Sequence, residues 1–340
     1  MSEIDVEKLK AAVTTIKQQS PGQGKVEPVQ EAEDAPAGKN RQHQIQEVAA
    51  SFLTKTGLDS RQIQQVVGRK EQERERATEE RRAAVAAGAA ANEARFQQQL
   101  EGKREALAGL LNHPFTHSYT YLETPFLIWE TPNPQLNILQ DSQAVQFHSN
   151  VRVKVDYTSG SDYTNFVFYY LWENTAEVPA TINVFSSLLF NGNCLVSAAG
   201  GAFSGDACNL NISATLDIYE WWNQPPTTPL PQSTQYVDVV NLSASGPTLP
   251  EYLWNNADSH SQALYYQNVN LSYSLLRVPP LSEIVVEVGA RFSFGFTSGG
   301  LNLSDLIEAD FATEDLNYRI QNPLVIIDVL EGTQSVVGSS

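Results

Sequence analysis

"EIVVEVGARFSFGF", residues 283–296, alternates with a period of two over its whole length. Ile284, Val286, Val288, Ala290, Phe292, Phe294 and Phe296 fall on one side; Glu283, Glu287, Arg291 and Ser293 fall on the other. Successive side chains of a strand point to opposite faces, so the pattern predicts a strand with one face in a core and one in water.

The same period recurs on both sides of it. In "AVQFHSNVRVKVDY" (144–157), Val145, Phe147, Val151, Val153 and Val155 point inward, and His148, Asn150, Arg152 and Lys154 outward. "YYQNVNLSYSL" (265–275) puts Val269, Leu271 and Tyr273 on one face. "NFVFYYLWE" (165–173) is apolar on both faces and is expected mid-sheet, covered on both sides. Asn191-Gly192 between apolar runs reads as a hairpin turn. With further strands near 120–129, 210–219, 235–243 and 324–331, the count is about ten. No long helix separates them, so the sheets are antiparallel. One wet face per sheet makes a sandwich, jelly-roll-like in type.

Before residue 113 the composition changes to Gln, Ala, Glu, Arg and Lys. Residues 1–19 hold a short amphipathic helix, with Ile4, Val6, Leu9, Val13 and Ile16 near one stripe. Residues 20–40 read as a flexible linker, rich in Pro, Gly and charge. Residues 41–112 form a helical region: two short helices around Gly57, an ordinary αα-hairpin without a basic recognition face, and then a long charged helix from Arg69. Phe96, Leu100, Leu107 and Leu111 share a face of that helix. They are the oligomerisation candidates of a coiled-coil stalk, and the alternative is a helix laid on its own head domain. The fold class is thus α + all-β: a helical, partly disordered arm or stalk, then an acidic β-sandwich over 113–340.

The chain carries 22 Lys and Arg against 39 Asp and Glu, a net charge of −17. The acid excess lies entirely after residue 112, where the basic residues are Arg152, Lys154, Arg277, Arg291 and Arg319. Such a surface repels phosphate backbones, and no nucleic-acid partner is expected. The opening "MSEIDVEKLK" has no apolar signal region, and no stretch reaches the roughly 18 apolar residues of a membrane helix. Synthesis in the cytoplasm follows as the expectation, with later release or assembly into a particle.

In "LNISATLDIYEWW" (210–222), Leu210, Ile212, Ala214, Leu216 and Ile218 point inward. The register sends Trp222 inward and sets Asp217, Tyr219 and Trp221 on the polar face, unless the proline-rich loop 225–231 covers Trp221. Aromatic rings beside carboxylates suit sugar stacking or a subunit contact. With His148, Arg152 and Lys154 they are the binding candidates. Asp305, Glu308 and Asp310 in "DLIEADFATED" (305–315) offer hard oxygen ligands for Ca²⁺, but without EF-hand spacing the run reads first as a solvated loop. No other cofactor is expected. Pro114 keeps His113 and His117 off one helical face, against a zinc site. Cys194 and Cys208 flank a Gly-rich connection. They can bridge if it is a plain loop, and fall out of register if either strand runs on. No hydrolase, P-loop or dinucleotide motif occurs.

The reading is a non-enzymatic structural or binding protein. A self-associating helical stalk, trimeric first, presents β-sandwich heads for glycan, cell-surface or assembly contacts. In architecture alone this resembles the stalked receptor-binding proteins of phage tails; a shell-forming component is a close variant. The alternatives are a membrane-active, pore-forming toxin and a carbohydrate-active enzyme of the sandwich class.

Overall fold

The computed structural model describes residues 117–130, 140–141, 144–153, 159–198, 207–221, 235–246, 258–297 and 305–330, together with 75–88 and a few single positions before and after them. Residues 1–19 apart from Ala11, residues 20–40, most of 41–112, and among the candidates Phe96, Leu100, Leu107, Leu111, His113, Lys154 and Trp222, lie outside the described residues.

Fourteen strands are described, all antiparallel to their partners, in a nine-stranded and a five-stranded sheet. The five-stranded sheet is built from β2 (Leu127–Glu130), β6 (Ser159–Asn174), β11 (Ser282–Thr297), β8 (Ala207–Trp221) and β9 (Gln235–Ser245), in that spatial order. The larger sheet is organised on β7 (Ala180–Ala198), which pairs along its length with β10 (Asp258–Val278). On the other side of β7 lie, end to end, β12 (Asp305–Phe311), β13 (Arg319–Gln321) and β14 (Val325–Leu330). These three act as one interrupted strand. Its outer neighbours are β5 (Phe147–Val153), β4 (Ala144–Val145) and β1 (His117–Leu122), with β3 (Gln140–Asp141) beyond β4.

Counting β1/β4/β5 as one ribbon and β12–β14 as another, and setting aside the short β2 and β3, leaves eight ribbons. The first pairs with the eighth, β6 with β11, β7 with β10, and β8 with β9. The chain is one long antiparallel hairpin wrapped into two layers, which is the jelly-roll order. The expected sandwich is therefore present, with its strands more interrupted than expected.

The core lies between the layers. Ile284, Val286, Val288, Ala290, Phe292 and Phe294 are buried on one side of β11, as are Leu210, Ile212, Ala214, Leu216 and Ile218 of β8. Phe292 meets Phe166 of its own sheet and Phe147 and Phe311 of the other, with ring centroids 4.7–5.6 Å apart. A polar bridge also crosses between the layers. Tyr170 Oη donates to Asn322 Oδ1 at 2.6 Å, and Asn322 Nδ2 donates to Ser186 Oγ at 2.8 Å.

Three expectations are corrected, and the alternative left open for the two cysteines is decided. Asn191-Gly192 is no turn, because both residues lie inside β7. A Cβ on Gly192 would stand 2.5 Å from the Phe311 ring, so the glycine serves a close approach; the Asn191 amide donates to the carbonyls of Leu316 and Asn317. The acidic run from Asp305 is no solvated loop: its first part is β12, inserted between β5 and β7. Cys194 and Cys208 are both buried and unbridged, for β7 and β8 run on into different sheets. Finally, the smaller sheet has no fully wet outer face. Val167, Tyr169 and Val285 are buried there, packed with Phe126, Leu127, Trp129, Leu171 and Tyr219.

The helix at residues 75–88 does not project as a stalk where it is described. It lies on the outside of the larger sheet, and Thr78 is buried. Arg81 Nη1 donates to Ser259 Oγ at 2.7 Å, and Arg82 reaches Glu308. Ser259 is on β10 and Glu308 on β12, so the helix spans β7 between them. Tyr265 Oη also donates to the Val85 carbonyl at 3.4 Å.

Candidate functional site

Two outer faces carry the polar chemistry. On the smaller sheet, Glu287 sits directly between Tyr169 of β6 and Asp217 of β8. One step along, Val285 lies between Leu171 and Tyr219. Two phenols and two carboxylates thus share one patch. Glu287 is only 4% exposed and Tyr169 1%, so the centre of the patch is dry. Burial first, and then the neighbouring Glu287, push the phenols of Tyr169 and Tyr219 well above the ordinary tyrosine range. Both stay protonated, ready to donate to a carboxylate. Toward the end of the strands Glu283 lies opposite Glu173, and burial followed by that like charge raises the carboxyl of Glu283.

The expected outward set on this face is placed in part. Asp217 and Tyr219 are half-buried on it. Trp221 is the last residue of β8, opposite Glu283. Tyr169 and Glu287, its most buried polar members, were not singled out from the sequence. Glu287 sits in an alternating strand among residues assigned to water, and only the apolar outer row of β6 hinted that this face is covered.

On the larger sheet, Glu308 is the centre. Arg82 Nη2 donates to its two oxygens at 2.7 and 2.6 Å, and His148 Nε2 stands 3.6 Å away. Burial alone would raise the Glu308 carboxyl, but His148 and Arg82 outweigh it and hold it below the usual carboxylate range. The hydrogen-bonding and charge of Glu308, with Asp310 beyond, raise His148 against its partial burial. Arg152, on the same ribbon as His148, faces Leu306 across the ladder. His148 is thereby part of an ion-pair cluster with the helix, and Arg82 is the member that composition and spacing did not mark.

The three Ca²⁺ candidates do not converge. Glu308 is engaged by Arg82, and Asp305 falls on the opposite side of β12 by alternation. Asp310 accepts from Ala312 N, Thr313 N and Thr313 Oγ1, closing the turn after the strand. Among the described residues no group of three or more His, Cys, Asp or Glu is placed to hold a metal ion. Cys194 faces the core, where burial raises its thiol out of reach of thiolate chemistry, away from His148 on the outer face. No described helix is long and apolar enough to cross a membrane.

No family model and no curated protein matches the chain. Among solved structures, similarity is found to TmCBM61 in complex with β-1,4-galactotriose, at 12% identity over 62% of this chain and 86% of that one, with a TM-score of 0.17. An infectious bursal disease virus structure, Gx strain, is similar at 10% identity over 57% and 38%, TM-score 0.15. The enzymatically active domain of bacteriophage CBA120 tailspike protein 4 is similar at 12% identity over 63% and 20%, TM-score 0.12. The chain spans less than half the length of the latter two. These scores are too low to transfer a function.

Proposed function

We propose that this chain is a non-enzymatic structural protein, a jelly-roll subunit that assembles with copies of itself and carries its N-terminal helix as an exchangeable arm. The observation that supports this reading is how the helix is held. Its described contacts with the sheet are polar: Arg81 to Ser259, the Val85 carbonyl to Tyr265, and Arg82 to a buried Glu308. A helix needed only to complete a core is held by apolar burial. One clamped by charge can leave its own sheet and dock identically on a neighbour's, the cheapest route by which a folded subunit joins others. Sedimentation velocity of the full chain over a wide concentration range tests it. Concentration-dependent assemblies that Arg82→Ala weakens are expected; a monomer throughout overturns the reading.

A second reading is favoured by Asp217 and Tyr219. Half-buried beside Glu287, they offer a ring face next to hydrogen-bond acceptors, the chemistry that recognises a sugar. A glycan array probed with the intact protein and with Tyr219→Ala tests it. Binding lost in the variant supports a glycan contact; no binding removes it.

A further inference from the structure

One end of the sandwich carries an apolar knob. The β6–β7 turn holds Val178 and the β10–β11 turn holds Pro280 and Leu281, all exposed. Asn174 pins the two turns together, its Nδ2 donating to the Val178 carbonyl at 3.0 Å and the Pro279 carbonyl at 2.8 Å. Leu281 N donates to the Ala176 carbonyl at 3.2 Å. Beside the knob, Leu275 stands out from the last part of β10. Val178, Leu281 and Leu275 are 65%, 61% and 69% exposed, the most exposed large apolar side chains described.

Two of them are also in an unfavourable backbone state. Leu275 has φ 60° and Leu281 φ 50°, left-handed conformations that suit glycine or asparagine far better than leucine. Solvent exposure and backbone sterics both argue against leucine at these positions. The isolated fold explains neither side chain, whereas a contact surface explains both.

We infer that this knob is a contact between two copies of the chain, meeting end to end about a two-fold axis; the inference rests on the self-assembly proposed above. Charge supplies the second part of the case. Arg277, exposed on β10 opposite Thr181, is the basic residue at this end and has no charged partner among the described residues. Glu173 and Glu283, a like-charged cross-strand pair, lie at the same end on the other sheet. A two-fold axis parallel to the sheets and perpendicular to the strands reverses the strands and exchanges the layers. It therefore lays each copy's Arg277 over the other's glutamates while the leucines pack at the centre. Such a patch is self-complementary, as an isologous contact requires.

The test is sedimentation velocity on the full chain. Leu275→Asn/Leu281→Asn removes the apolar contact while suiting the left-handed backbone, so the fold should be kept or stabilised, as circular dichroism would verify. This variant, and separately Arg277→Glu, should weaken self-association by about tenfold or more, the scale of a hot-spot contact. Adding Glu283→Lys to Arg277→Glu should restore it. If the full chain associates and these variants associate equally well, the knob is not the contact, although self-assembly stands. A monomer at every concentration overturns both. Binding of phosphatidylcholine vesicles through Leu281 without self-association also overturns the inference and makes the knob a lipid contact.

Discussion

Arg82 in the N-terminal helix grips both carboxylate oxygens of Glu308 in the centre of the larger sheet, though 226 residues separate them. The acid is 4% exposed and the arginine 39%. Breaking a buried ion pair from one side strands the other charge, whereas exposed pairs contribute little. Arg82→Ala should thus cost about 1–3 kcal/mol, between those limits. Arg82→Ala combined with Glu308→Gln should cost less than the sum of the two, because each single change removes the same pair. Chemical denaturation of the four proteins checks this; strict additivity would show that the pair is not coupled.

The clamp should also respond to pH in two directions. Glu308 is held below its ordinary value of 4.5, so its contribution is complete above that value and is lost as pH falls through the lower, folded-state value. His148 is raised above its ordinary 6.5, so its contribution is complete below 6.5 and is lost as pH rises through the higher, folded-state value. The groups facing the pair are Arg82 and Asp310. Helix docking should be firmest between those two ordinary values. Thermal melts across pH should show His148→Gln flattening the alkaline limb and Glu308→Gln removing both limbs.

Phe292 is the ring through which the two layers touch, packed on Phe147, Phe166 and Phe311. Phe292→Ala should cost about 3–5 kcal/mol through lost burial and the cavity left behind. A loss below about 1 kcal/mol in denaturant unfolding would mean that the layers are held elsewhere.

Tyr170→Phe should leave the Asn322 amide oxygen short of a buried partner and cost about 1–3 kcal/mol. Ser186→Ala removes a different bond of the same amide. The two effects should be non-additive in a double-mutant cycle.

Much of the fold is legible in the sequence because most strands bury one face only. The alternation in 283–296 and 210–218 names the core side of β11 and β8 residue by residue. It fails where both faces are covered. The outer side of β7 from Leu189 to Ser197 lies under the helix and the turn after β12, so Asn191-Gly192 lost its punctuating role to tertiary packing. In 305–315, acidic residues suggested water, but Glu308 is neutralised by Arg82 from a distant segment, a compensation that no local pattern can announce. Tyr219 and Asp217 could be phased from their own strand. Glu287 could not be separated from an ordinary wet glutamate without knowing that Tyr169 is its neighbour.

The interrupted strand β12–β14 has a consequence for biosynthesis. It lies between β7 and the first ribbon, so the larger sheet has a gap at its middle until residues 305–330 emerge from the ribosome. The nested pairing lets β8 and β9 zip first, β7 and β10 next and β6 and β11 after them, while β1 and β5 wait for partners near the far end of the chain. Folding dominated by such distant pairings is slow. For the time of that wait the nascent chain exposes unpaired strand edges, the species most prone to aggregate. The acid excess after residue 112 would keep waiting chains apart on crowded polysomes.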